Sequence, residues 1–76
     1  MEKILSMLQD LRPEFDFSSS SDYISDGMID SFDIITLVTN LEESYDILID
    51  ALDILPENFS NVEAIANVIR KNGGTV

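Results

Sequence analysis

The sequence predicts an all-α protein: a small four-helix bundle of three main helices and one short helix, with a long loop between helices 1 and 2. In three segments apolar residues recur at the spacing of amphipathic helices, and no segment alternates apolar and polar residues as a strand does. The 76 residues are enough for one domain, which we take as residues 1–76. A chain of this length buries about 60% of its unfolded surface, so its core is modest.

The first helix is predicted over residues 2–12. Proline lacks a backbone N–H and disfavours helical geometry in the residue before it, so Pro13 ends this helix at or just before Arg12. The apolar stripe of the helix consists of Ile4, Leu5, Leu8 and Leu11.

A loop is predicted over residues 13–29, where no helical period is sustained. The serine run at 18–21 and the Asp26-Gly27 pair favour turns, because short polar side chains compete for backbone hydrogen bonds and glycine accepts positive φ. Long loops in small domains are often functional. The apolar residues expected to hold this loop on the core are Phe15, Phe17, Tyr23, Ile24, Met28 and Ile29.

The second helix is predicted from Ser31 to about Ser44. Asp30 is a good N-cap residue, and Asp33 lies in the first turn, where a negative charge suits the helix dipole. The buried stripe expected for this helix is Ile34, Leu37, Val38, Leu41 and Tyr45.

Two helical elements are predicted in the last third of the chain: a brief turn within residues 51–59 and a final helix that begins at Ser60. Ser60 and Glu63 have the spacing of a capping box, in which each side chain accepts a hydrogen bond from a free backbone N–H. Gly73 follows two basic residues and is placed to close this helix. The apolar face of the final helix is Val62, Ile65, Ala66 and Ile69.

Fifteen acidic side chains against four basic ones give a net charge of −11. Nucleic-acid binding requires clustered lysines and arginines, and an anionic membrane surface repels such a chain, so we expect no nucleic acid partner and no membrane insertion. The charge predicts partners with basic docking patches and an association that weakens as salt rises. The alternative interpretation is that the acidity only keeps a small protein in solution.

Cysteine and histidine are both absent. The chain therefore has no disulfide and no thiol nucleophile, and no serine has an evident activating base, so we expect no enzymatic activity of its own. The N-terminal residues indicate an amphipathic helix and not a signal peptide, and the apolar runs are too short to span a bilayer. We expect a monomer in the cytoplasm.

The stretch DGMIDSFDII, residues 26–35, sets Ser31 between two aspartates where a turn becomes a helix. The simplest interpretation is an ordinary helix cap. A second is a degenerate EF-hand-like calcium site over residues 22–33, with aspartates at its first, fifth, ninth and twelfth positions. Against it, Ile24 offers no ligand oxygen at the third position and Asp33 replaces the usual bidentate glutamate.

A third interpretation of Ser31 is a covalent attachment site. The serine falls in the first turn of a predicted helix just past a loop, so its hydroxyl should face solvent and could carry a phosphodiester. Free N–H groups and the positive end of the helix dipole favour an anion there. Asp30 and Asp33 oppose an anion unless a divalent cation intervenes, as it does when a transferase uses a magnesium-bound diphosphate donor.

With these residues the chain resembles the phosphopantetheine-dependent carrier proteins, which include acyl, D-alanyl and peptidyl carrier proteins. The resemblance centres on Asp30-Ser31-Phe32 and covers nearly the whole chain. It implies that Ser31 takes a 4′-phosphopantetheine arm from coenzyme A and that Asp30 assists magnesium during the transfer. The family's usual leucine after the serine is Phe32 here, an apolar change that bears on the choice of partner.

The resemblance implies an acyl carrier protein that performs no chemistry itself. Its arm carries acyl or aminoacyl groups as thioesters between enzymes of a fatty acid, D-alanyl or secondary-metabolite pathway, and tethering raises the effective concentration of the cargo at each enzyme. The implied partners are a phosphopantetheinyl transferase, acyl or aminoacyl ligases, and synthases or transferases with basic docking patches. The implied docking face is Phe32, Ile35, Thr36, Thr39, Glu42 and Glu43.

A different class of function also fits the helical pattern and the acidity. The chain could be a non-enzymatic helical interaction module that has the carrier fold without the arm. The two classes differ in whether Ser31 is modified.

Overall fold

The computed structural model describes residues 2–76, and within them it is all-helical with no strand. The prediction of an all-α fold with three main helices is confirmed. The α-helices are α1 (Glu2–Leu11), α2 (Ser31–Tyr45) and α3 (Val62–Lys71). Single 3₁₀ turns lie at Phe17–Ser19, Ala51–Asp53 and Pro56–Phe59.

None of the helices within residues 2–76 has both the length and the apolar character needed to cross a membrane.

The loop between α1 and α2 spans residues 12–30 and is held on the core by its aromatic side chains. Phe17 and Tyr23 are buried, and their rings meet edge to face with centroids 5.0 Å apart. The backbone N–H of Tyr23 also donates to the carbonyl of Ser60 over 2.7 Å, which ties the loop to the chain ahead of α3. Met28 and Ile29 are buried, so the loop enters α2 from the core.

The segment between α2 and α3 differs from the single short turn that the sequence predicts. It forms two separate 3₁₀ turns, Ala51–Asp53 and Pro56–Phe59. Leu55 between them is extended (φ −120°, ψ 142°), because helical geometry is sterically disfavoured for a residue before proline. This extended residue separates the two turns.

The start of α3 corrects the prediction that Ser60 is its N-cap. The N-cap is Asn61, whose side-chain oxygen accepts a hydrogen bond of 2.8 Å from the N–H of Ala64. The Ser60 hydroxyl instead donates to the carbonyl of Glu57 over 3.0 Å and so closes the preceding 3₁₀ turn. At the other end of α3, Gly73 has φ +90°, a conformation that glycine adopts without steric cost.

The core lies between the three helices, with α1 in contact with both α2 and α3. Most residues of the predicted stripes are buried, whereas Leu5, Leu11, Tyr45 and Val62 are half-buried at the margins. The largest fully buried side chains of the three α-helices are Ile4, Leu8, Leu37, Leu41, Ile65 and Ile69. This packing fixes the N-terminus of α2, where the candidate site lies.

Candidate functional site

Ser31 is the first residue of α2 and its side chain is exposed. Within residues 2–76 its hydroxyl has no hydrogen-bond partner, although most serines in the preceding loop bond to a neighbouring aspartate or carbonyl. The Ser31 oxygen is therefore free to be approached from solvent.

The backbone around Ser31 is fixed by a reciprocal capping box. Asp30 Oδ1 accepts a 3.0 Å hydrogen bond from the N–H of Asp33, and Asp33 Oδ2 accepts one of 3.1 Å from the N–H of Asp30. The hydrogen bond from Asp33 N–H is the main cause that lowers the pKa of Asp30 below its usual 3.8, and the charge of Arg12 acts in the same direction. Asp30 is thus an exposed, ionised carboxylate directly before Ser31.

Arg12 joins this site from the end of α1, and sequence reasoning did not include it. Its Nε and Nη2 atoms lie 3.0 Å and 2.8 Å from Asp33 Oδ2, and Nη2 lies 3.8 Å from Asp30 Oδ2. Asp33 is only 8% exposed, and it lies on the same side of α2 as Ile34 and Leu37. A buried acidic side chain needs a cationic partner. The position of Asp33 on the apolar side of α2 was therefore the sequence signal for its contact with Arg12.

Ser31 lines two concavities. The first, of about 200 Å³, is largely apolar and is lined by Ser31, Ile34, Ile35, Ile54 and Pro56. The second, of about 350 Å³, shares Ser31, Ile34 and Pro56 and extends along the loop to Ile24, Gly27, Ile29 and Asp30. The hydroxyl therefore lies at the border between α2 and the turn that begins at Pro56.

The outer face of α2 carries the residues that the resemblance assigns to docking. Phe32 is 83% exposed and Ile35 is 63% exposed. Thr36, Thr39 and Glu43 are also exposed, and the two threonine hydroxyls donate to carbonyls one turn earlier in the helix. These five residues form an exposed surface with an apolar end next to Ser31.

Glu42 differs from the other residues of that face. It is half-buried, and its Oε2 accepts a 2.9 Å hydrogen bond from the backbone N–H of Ile49. Its carboxylate therefore holds the chain that leaves α2, a structural role that sequence reasoning missed because Ile49 lies outside the helix.

The aspartates of the EF-hand-like alternative are each engaged locally. Asp22 accepts hydrogen bonds from the N–H groups of Ile24 and Ser25, and Asp26 accepts one from the hydroxyl of Ser20. Asp30 Oδ1 and Asp33 Oδ2 each accept a hydrogen bond within the capping box. Across residues 2–76, no group of three or more Asp or Glu side chains is placed to hold a metal ion.

The fold and site together define a small all-helical protein with an exposed serine at the start of its longest helix. Comparison of the chain with models of known protein families gives no match, and neither curated proteins nor solved structures give a significant one.

Proposed function

We propose that this protein is an acyl carrier protein whose Ser31 bears a 4′-phosphopantetheine arm. The observation that carries the proposal is the exposed Ser31 hydroxyl, free of hydrogen bonds to the described residues, at the first position of α2. A helix start offers free N–H groups and a positive dipole end, both of which favour the phosphodiester that such an attachment creates. When attached, the arm supplies a terminal thiol that holds acyl or aminoacyl cargo as a thioester.

The attachment uses Ser31 as a nucleophile toward coenzyme A within a phosphopantetheinyl transferase. The Ser31 oxygen bonds to the phosphorus next to the pantetheine, the bond from that phosphorus to the adenosine bisphosphate breaks, and the serine proton passes to a base of the transferase. Asp30 lies one residue away, is ionised, and has its Oδ2 atom outside the capping box. Asp30 therefore fits the role of assisting the transferase's magnesium ion.

The surroundings of Ser31 also suit a carrier. The two largely apolar concavities that Ser31 lines offer surface to an arm or cargo attached at this serine. The exposed face that begins at Phe32 combines apolar side chains with Glu43, which suits enzymes whose docking patches are apolar and basic. In this proposal the partners are a phosphopantetheinyl transferase, acyl or aminoacyl ligases and synthases.

The proposal extends to the finer architecture and the setting of the protein. We assign the chain to the four-helix bundle of the carrier proteins, with the two 3₁₀ turns between residues 51 and 59 in the place of the short helix. We further propose that it acts as a monomer in the cytoplasm.

Intact mass spectrometry after incubation with coenzyme A, Mg²⁺ and a promiscuous phosphopantetheinyl transferase tests the proposal. We expect one added arm on the wild type and on Ser44→Ala, an exposed serine near the other end of α2, and none on Ser31→Ala. If the wild type stays unmodified under conditions that load an established carrier, the proposal is wrong.

An interaction module without the arm is the second candidate. The observation that favours it is the exposure of Phe32 and Ile35, which a protein partner could cover whether or not Ser31 is modified. The same mass experiment separates the two functions, because only the carrier gains an arm.

A further inference from the structure

Arg12 is the one base, within residues 2–76, that pairs with the carboxylates next to Ser31. The other three bases, Lys3, Arg70 and Lys71, bond to groups elsewhere on the molecule. In a chain with so few cations, the location of Arg12 at the start of α2 requires an explanation of its own.

Arg12 acts on the site through a single oxygen. Its Nε and Nη2 atoms both contact Asp33 Oδ2, and the same oxygen accepts the hydrogen bond from the N–H of Asp30. Because Asp33 is buried, loss of the guanidinium would leave its carboxylate without a cationic partner, which favours a turn of the side chain toward solvent. Such a turn weakens the half of the capping box that Asp33 provides.

The capping box spans the residues that a transferase must recognise. Asp30 and Asp33 enclose Ser31 and Phe32 in the chain, so the two reciprocal hydrogen bonds fix the backbone on both sides of the serine. Arg12 has no hydrogen bond to Ser31, and its influence on the serine passes through Asp33.

We propose that Arg12 is a positioning residue for the modification of Ser31. Through Asp33 it keeps the capping box closed, so that the Ser31 hydroxyl and the exposed carboxylate of Asp30 face the transferase together. This inference rests on the carrier function proposed above.

Charge supports the same role. Arg12 also pairs with Glu14 over 3.4 Å, so it partly offsets three carboxylates close to the point where an anionic phosphodiester would form. The hydrogen bond to Asp33 raises the pKa of Arg12, so the guanidinium keeps its charge at every pH at which the protein is folded.

Loading kinetics of three variants test the inference. We expect Arg12→Gln to lower the kcat of arm transfer by about tenfold with little change in KM, since misplacing a reacting group costs turnover more than docking. Arg12→Lys keeps the charge but lacks the planar guanidinium, so its kcat should lie between those of the wild type and Arg12→Gln. Arg70→Gln, which removes an arginine whose nearest carboxylate is 3.9 Å away, should load like the wild type.

Backbone amide exchange measured by NMR gives a readout that does not depend on modification. In Arg12→Gln the amides of Asp30 and Asp33, which donate within the capping box, should exchange faster while those of α3 stay protected. A wild type that takes no arm contradicts the carrier function, and the exchange data then still test the ordering role. A wild type that loads, together with Arg12→Gln and Arg12→Lys that load at the same kcat, overturns the role of Arg12. The role of Arg12 is also overturned if Arg12→Gln loads slowly while the amides of α3 exchange as fast as those of Asp30 and Asp33, because that result indicates general unfolding.

Discussion

Lys71 Nζ lies 2.6 Å from Asp53 Oδ1, and this contact ties the last turn of α3 to the 3₁₀ turn at Ala51–Asp53. Asn72 strengthens the junction with a 3.3 Å hydrogen bond from Nδ2 to Asp53 Oδ2. The chain then runs from Asp53 to Ile54 and Pro56, which line the concavity beside Ser31. The end of α3 therefore helps to set the wall of the candidate site.

The first prediction concerns the acid sensitivity of this junction. The hydrogen bond from Lys71 is the main cause that lowers the pKa of Asp53 below its usual 3.8. A carboxyl whose folded pKa is depressed stabilises the protein above its unfolded pKa, and that stability is lost as the pH falls through the folded value. We therefore expect Asp53→Asn to be less stable than the wild type at neutral pH, with the difference shrinking as the pH falls below the usual carboxyl pKa.

Urea unfolding of both proteins, at neutral pH and in acid, measures that difference. Asp10→Asn is the matched control, because Asp10 is exposed on α1 and pairs with no base in the described residues. A difference between wild type and Asp53→Asn that stays constant with pH would show that the ion pair does not supply this stability.

The second prediction compares one substitution at two positions. Phe17 is buried in the loop, whereas Phe32 is exposed next to Ser31. Phe17→Ala should destabilise the fold by about 3–5 kcal/mol, a large part of the stability of a small domain. Phe32→Ala should change stability by less than about 0.5 kcal/mol but should slow loading by the transferase. Thermal melts and loading rates check both variants, and normal loading of Phe32→Ala would show that Phe32 does not belong to the docking face.

The helices of this protein are predictable from its sequence because each turn of a helix contributes apolar residues to the core. Ile34, Leu37 and Leu41 recur at helical spacing, so a helix places all three on the side of α2 that faces the core. The choice of Asn61 over Ser60 as N-cap does not follow, since both are good caps and the contact of Ser60 with Glu57 decides between them.

The candidate site was predictable only in its local part. Asp30 and Ser31 are neighbours in the chain, so their arrangement at a helix start depends on nearby residues alone. The partner of Asp33 is Arg12, 21 residues away, and the tertiary path of the loop between them determines that contact. The same holds for Lys71 and Asp53, which lie 18 residues apart.

The third prediction separates the two glutamates assigned to the docking face. Glu43 is exposed, so Glu43→Lys should leave the melting temperature unchanged and lower kcat/KM of loading by about two- to fivefold, mainly through KM. The loss should fade at high salt, because the interaction is screened. Asp10→Lys, a reversal on α1, should load normally, and an equal loss in that variant would indicate a general charge effect.

Glu42 should respond differently from Glu43. Glu42→Ala leaves the backbone N–H of Ile49 without its acceptor, and we expect a stability loss of about 1–3 kcal/mol. Glu42→Gln keeps an acceptor oxygen and should recover most of that loss. Urea unfolding checks both variants, and equal stability of Glu42→Ala and the wild type would show that the hydrogen bond contributes little.

The last prediction concerns Asp46, the residue that ends α2. It adopts a left-handed conformation (φ 54°, ψ 52°), and its N–H donates to the carbonyl of Glu42. Its negative charge lies at the negative end of the helix dipole, which is unfavourable. Asp46→Asn removes the charge and keeps a residue that tolerates this conformation, so it should stabilise the fold by about 0.3–1 kcal/mol. Asp46→Ala removes the same charge but tolerates the conformation poorly, and denaturant unfolding should show no gain. If both variants gain equally, the backbone conformation at Asp46 carries no cost for alanine, and charge alone explains the effect.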